Sequence, residues 1–294
     1  MKHDKISVII PSNNSKNWKK IIKNLSSNKI NYEIIFIGPK QNSAINDKNI
    51  KIIQSFLKPV QCLQIGLINS SGNYLMQMAD DCLLKGAKDP LFYIYQKAKK
   101  FPKRIVSCKY SVSGIPVKKH EYNYLPWNNK TNLPIAPLIK KSDVLRLGGY
   151  DKNFIAVLSD IDLYLRLKQI NKKIYYCNLF IDEDKIHNKS NNLLPTYWNH
   201  DRVQLDNCWI KKNKKKKLIL SKKRLKKIQR FDNKLLELKK PQGLTGKWKF
   251  NNYIFFTLIN NKVFKSISFL LTLSTNTRFY YFYKIKNKLL KKIS

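Results

Sequence analysis

Two sets of carboxylates have the types and spacing to do chemistry. Asp80 and Asp81 are adjacent and directly follow the mostly apolar run YLMQMA. Neighbouring acids repel, so each must be solvated, paired or bound to a cation. Hard divalent ions prefer such oxygen ligands, and a diphosphate can share the ion. A plain turn is the alternative, because Asp is common in turns. Asp160 and Asp162 stand two apart in SDIDLYLRL. On a helix that spacing is about 200°, so a single cleft can receive only one of them. An acid at the helix start would meet exposed amides. A cap at Ser159 or Asp160, with a surface pair between Asp162 and Arg166, explains the same run without catalysis. His187 follows Asp182-Glu183-Asp184 as a lone histidine, whose ordinary role is structural. Dinucleotide and Walker-type phosphate loops are missing, as is a Gly-x-Ser-x-Gly nucleophile elbow.

The surrounding elements must hold these acids in place. Residues 6–10 are a short β-branched run closed by Pro11, which predicts a buried strand. Helical spacing covers 17–27, and a second strand at 32–37 is stopped by Gly38-Pro39. A third strand is expected at 50–53, a helix at 60–69, and a fourth strand at 74–78 that ends on Asp80-Asp81. Further on, 86–100 predicts a helix, 104–112 a strand, 160–170 a helix and 173–180 a strand. Strands alternating with helices imply an α/β fold with a mostly parallel sheet covered on both faces. Ligands of such sheets bind at the carboxyl ends of the strands. Pro11, Ser12, Asn13 and the Asp80-Asp81 pair all fall there.

The 294 residues carry 58 Lys and Arg against 18 Asp and Glu, a formal charge of +40. A surface of that sign attracts anions, whether nucleic acid, an acidic membrane or phosphorylated ligands. The abundance of Lys, Asn and Ile together is also what an AT-rich genome produces. Five cysteines without metal spacing predict free thiols in a reducing compartment. The N-terminus is too short for a signal peptide, and no run reaches the roughly 18 apolar residues of a spanning helix. A cytoplasmic protein is expected.

Beyond about residue 192 the texture changes to a basic, mainly helical extension, 193–294. It contains the run Lys211-Lys212-Asn213-Lys214-Lys215-Lys216-Lys217 and, later, Phe255, Phe256, Leu258, Phe264 and Phe269 interleaved with lysine. Such a tail either lies on an anionic membrane surface or packs its aromatic face on the preceding domain.

Taken in order, ISVIIPSNN, QIGLINSSGNYLMQMADDCLL and LGGYDKNFIAVLSDIDLYLRL resemble three segments of the family 2 glycosyltransferases with the GT-A fold. The resemblance covers roughly residues 5–190 and implies a GT-A domain over 1–192. By it, Pro11, Ser12, Asn13, Gln64 and Asp80 match positions along the nucleotide sugar. Asp81 matches the acid that binds Mg2+ or Mn2+, with His187 as a late histidine near the ion. Gly149 and Asp162 match the acceptor side, and Asp160 matches the general base. The implied reaction moves a sugar, with inversion, from a nucleoside-diphosphate sugar to a saccharide or lipid-linked acceptor, in cell-envelope polysaccharide or glycan synthesis. The implied place is the cytoplasm, including the inner face of its membrane.

The pattern has three departures. The segment Ile37-Gly38-Pro39-Lys40 lacks the usual Asp that reads the base, Ala79 stands where an earlier acid is common, and Ser159 stands where Glu is common. Two other classes compete. A basic nucleic-acid-binding protein would explain the charge, but no zinc-finger spacing, RNP-type aromatic motif or recognition helix accompanies it. A GT-A-like domain that binds without catalysing would explain the departures.

Overall fold

The computed structural model describes residues 4–13, 15–39, 45–55, 57–124 and 129–183, together with 201–202, 204–205 and 208–209. Packing divides the chain into Met1–Gly243 and Leu244–Ser294. The second unit lies outside the described residues, as do His187, the lysine run and the helices expected of the extension.

The first strand, β1 (Lys5–Pro11), is buried along both faces, as its β-branched composition requires of a central strand. It pairs in parallel with β2 (Asn31–Gly38) on one side and with β4 (Tyr74–Gln77) on the other, while β3 (Ile50–Gln54) extends β2 in parallel. Beyond β4 the sheet becomes mixed. The short β10 (Leu138–Lys140) runs antiparallel between β4 and β6 (Arg104–Val112). Next, β11 (Lys173–Glu183) runs parallel to β6, and β5 (Cys82–Lys85) closes the edge antiparallel to β11. With β7 (Ile115–Pro116) folded back on β6, the sheet has nine strands in the order β3-β2-β1-β4-β10-β6-β11-β5. A separate ribbon joins β8 (Glu121–Tyr124) to β9 (Asn129–Asn132).

Helices cover both faces. Ile6, Val8, Ile10, Ile34 and Phe36 share one core with Trp18, Ile21 and Leu25 of α1 (Trp18–Leu25) and Leu91, Ile94 and Ala98 of α3 (Pro90–Lys100). The opposite face receives α2 (Pro59–Asn69), packed on β1 and β2. Proline at the first helical position starts both α2 and α3, where no backbone donor is lost. The Asp89 carboxylate caps α3 by accepting from Phe92 N at 3.0 Å. That helix begins later than the expected 86 because Gly86 has φ +106°, outside the helical region, and Asp89 and Pro90 set the cap and first turn. Two further helices follow, α4 (Lys141–Arg146) and α5 (Ser159–Lys168).

The segment after residue 192 contributes to this unit. Asp201, Leu205 and Trp209 are helical, four residues apart, and essentially without exposed surface. All five cysteines are free thiols. No helix among the described residues is long and apolar enough to cross a membrane.

Candidate active site

The carboxyl ends of β1 and β4 lie side by side, which brings the loop after Pro11 to the Asp80-Asp81 pair. Ser12 is the junction. Its hydroxyl donates to Asp80 Oδ2 at 2.7 Å and accepts from Trp18 Nε1 at 2.8 Å. Trp18 is fully buried and stacked on Phe36, with ring centroids 4.4 Å apart. A core aromatic pair thus fixes the serine, and the serine fixes the acid. Asn17 adds a second tie, donating from Nδ2 to the Asp80 carbonyl at 3.2 Å. Asn13 is exposed beside this junction, and Pro11 is half-buried. Trp18 and Asn17 are parts of the site that helical spacing alone did not reveal.

Ser12 also lies against the end of β2. Its amide donates to Ile37 O at 2.8 Å, and a Cβ on Gly38 would lie 1.6 Å from the Ser12 carbonyl oxygen. Position 38 therefore excludes every side chain, the base-reading acid of the glycosyltransferase pattern included. Gly38→Ala is expected to destabilise the domain by about 1–3 kcal/mol, as overpacking does. Urea denaturation of the full chain measures it, and an unchanged midpoint contradicts the close approach.

Asp81 is partly exposed, and Cys82 Sγ donates to its Oδ1 at 3.4 Å. Burial pushes the Cys82 thiol far up, and the charges of Asp81, Glu183 and Asp80 push it in the same direction. This edge of a strongly basic chain is therefore locally negative. In the ladder Glu183 stands opposite Cys82, so β11 ends one residue from Asp81. The donor set fits a hard divalent cation: two carboxylates with surface open to solvent, in a negative field, at a strand end where a diphosphate and water would complete the shell. Among the described residues no cluster of three His, Cys, Asp or Glu side chains is assembled.

Asp160 occupies the first turn of α5. It lines a shallow depression with Gln77, Pro137, Ile139 and Tyr164. Gln77 is the last residue of β4, three before Asp80, so Asp160 sits beside the carboxyl end of that strand. Burial raises its carboxyl to about 6, against the opposing pull of its hydrogen bonds with the amides of Ile161 and of its own residue. One oxygen accepts from Ile161 N at 2.8 Å. Tyr150 is its neighbour, and its phenol is pushed up chiefly by burial and then by the Asp160 charge. A carboxylate poised near neutral pH in a partly desolvated depression has the properties of a general base.

Asp162 faces the opposite way, as the 200° spacing requires. It has no exposed surface, and its Oδ2 lies 2.9 Å from Arg166 Nη2 and accepts from Nε at 3.1 Å. Its Oδ1 accepts from Trp209 Nε1 at 2.7 Å. The pair with Arg166 is therefore a core feature and not the surface pair expected, and the acceptor-side position assigned to Asp162 is occupied by a buried structural carboxylate. Gln64 is similarly enclosed. It is 1% exposed, and its Oε1 accepts from Tyr150 N at 2.7 Å. Gly149 has φ +75°, and a Cβ there would lie 2.3 Å from that same Oε1. Gln64 and Gly149 together form the turn that carries Tyr150 to the flank of Asp160.

No protein-family model matches the chain, and no curated relative matches it. Among solved structures it is similar to GalNAc-T7 crystallised with UDP, GalNAc and Mn2+, at a TM-score of 0.56 and 12% sequence identity. The likeness covers 85% of this chain, which spans 57% of that protein. The described domain has the GT-A fold.

Proposed function

We propose that the chain is a glycosyltransferase that takes its sugar from a nucleoside-diphosphate donor, and that Asp160 is its general base. The observation that carries this reading is the placement of Asp160. A carboxylate raised to about 6 shares a depression with Gln77, three residues before Asp80, which is itself hydrogen-bonded to Ser12. The GT-A fold, and the solved relative's UDP, GalNAc and Mn2+, support the same assignment.

In this reading Ser12 and Asn13 lie along the nucleotide, and Asp81, with Asp80 beside it, would hold Mg2+ or Mn2+. When bound, that ion neutralises the diphosphate leaving group. Asp160 accepts the proton of an acceptor hydroxyl as its oxygen attacks the anomeric carbon from the face opposite the leaving group. A single displacement of that kind inverts the anomeric configuration. Tyr150, held by Gln64 and the Gly149 turn, is buried behind Asp160 and backs it from the protein side. The acceptor is a saccharide, free or lipid-linked, of the cell envelope.

The test is release of free nucleoside diphosphate from a panel of nucleotide sugars, with and without a chelator and across saccharide acceptors. Acceptor-dependent release from one donor, lost on chelation and restored by Mn2+ or Mg2+, is the expected result. Asp81→Ala should weaken metal-dependent binding of the diphosphate by roughly tenfold or more, the size of one lost charge-assisted contact. Titration calorimetry with nucleoside diphosphate and Mn2+ reads that loss. Equal affinity in the variant removes Asp81 from the metal site.

A further inference from the structure

Asp201 makes an unusual set of contacts with the loop that leads into α5. Its side chain has no exposed surface, and it accepts three consecutive backbone hydrogen bonds: from Ile155 N to Oδ1, and from Ala156 N and Val157 N to Oδ2, each at 2.8 Å. Three successive amides turned toward one point form a concave donor array, and a carboxylate satisfies it with charge-assisted bonds. The same loop is tied from the other side by Val60 N, which donates to Ile155 O at 3.1 Å. Lys58, just before α2, feels the Asp201 charge and supplies a compensating positive group.

The backbone just beyond the loop makes these bonds consequential. Leu158 is held at φ +62°, a left-handed conformation that a branched apolar residue adopts only when its surroundings impose it. Leu158 O then accepts from Asp162 N at 3.0 Å as the first bond of α5. The strained residue therefore sets the direction in which α5 departs, and Asp160 is two residues on. From the far side, Trp209 Nε1 holds Asp162. Asp201, Leu205 and Trp209 recur at four-residue spacing and are all buried, so one helical face braces the backbone on both sides of Asp160.

We propose that Asp201 is a positioning residue for Asp160: by fixing the amides of 155–157 it imposes the left-handed turn at Leu158 and so aims Asp160 at the reacting hydroxyl. The inference rests on the assignment of Asp160 as general base. It gives residues beyond 192 a part in the reaction, and no motif in that stretch signals it.

The experiment uses the full chain and Asp201→Asn, which keeps shape but places an amide where an acceptor is needed. Steady-state kinetics and amide hydrogen exchange are read together, with Gln204→Ala as the control from the same helical segment. A fall in kcat of roughly 10- to 100-fold at unchanged donor KM is expected, because a small misplacement of the base costs that much. Exchange at 155–160 should rise while that of β1 and β4 stays at the parent level. Should Asp201→Asn not fold, Trp209→Phe removes the indole N–H together with the five-membered ring that bears it, and should lower kcat in the same sense. Unchanged exchange at 155–160, or kcat and KM shifting together in the folded variant, overturns the proposal. If the parent protein turns over no nucleotide sugar, the functional reading falls. Exchange then decides the Asp201 clamp alone: a rise at 155–160 upholds it, and no rise refutes it.

Discussion

Asp160→Asn should give a protein that is less active and more stable than its parent. The substitution keeps the shape of the side chain and removes the proton acceptor, so turnover is expected to drop roughly 10²–10⁴-fold with donor binding spared. Stability moves the other way because the carboxyl is raised in the fold, from 3.8 to about 6, by burial. A raised carboxyl favours the folded state while protonated. That contribution is complete below pH 3.8 and is lost as pH rises through about 6. Above pH 6 the parent carries the full cost of a partly desolvated charge, on the order of 1–3 kcal/mol, and the neutral asparagine does not. The melting temperatures of the two proteins should therefore coincide near pH 4 and separate by pH 7, with the variant higher. In the same window parent turnover should climb with pH, half-maximal on the acid side near 6. A variant that transfers sugar at the parent rate removes Asp160 from the chemistry. Equal stability at pH 7 removes the burial argument.

The largest loss of stability is expected at Arg166→Met. Arg166 and Asp162 have no exposed surface, and Arg166 Nη1 also donates to Leu147 O at 2.5 Å. Removing the guanidinium strips Asp162 of its cation and leaves its charge in the core beside the neutral indole N–H of Trp209. Breaking a buried pair from one side costs about 3–5 kcal/mol, whereas replacing both partners with apolar groups is often neutral. For a domain of this size the single variant should melt roughly 6–20 °C lower. Asp162→Leu with Arg166→Met should recover much of that loss, short of the bonds to Leu147 O and from Trp209 Nε1. A double variant no more stable than Arg166→Met would show that the pair is needed for packing as well as charge.

The sequence is most readable where contacts are local or repetitive. The β-branched run of β1, the helical spacing of α1 and the break at Gly38-Pro39 each follow from a few adjacent residues. The strand β5 is illegible because CLLK is short and its partner is β11, about a hundred residues away. Mixed strand directions escape notice for the same reason: β10 has only three residues, and its orientation depends on β4 and β6. At the site, the acids announce themselves by type and position, and the 200° separation of Asp160 from Asp162 follows from helix geometry. The burial of Asp162 does not, because it depends on Trp209, 47 residues on. Ser12 as the link between Trp18 and Asp80 is equally non-local, since nothing near it in the chain marks an acceptor 68 residues away.

The three departures from the glycosyltransferase pattern differ in how readily a single substitution can undo them. Ala79 is exposed, so an aspartate there would find room, at the cost of repulsion from Asp80 and Asp81 beside it. Ser159 is 3% exposed at the start of α5, and a glutamate would have to find room in a packed turn. Gly38 is the most restricted of the three, with the Ser12 carbonyl oxygen 1.6 Å from where its first side-chain atom would stand. A side chain there would push the ends of β1 and β2 apart and disturb the loop that carries the Ser12–Asp80 bond. An acid is thus accommodated at position 79, opposed by packing at 159 and opposed by the backbone itself at 38.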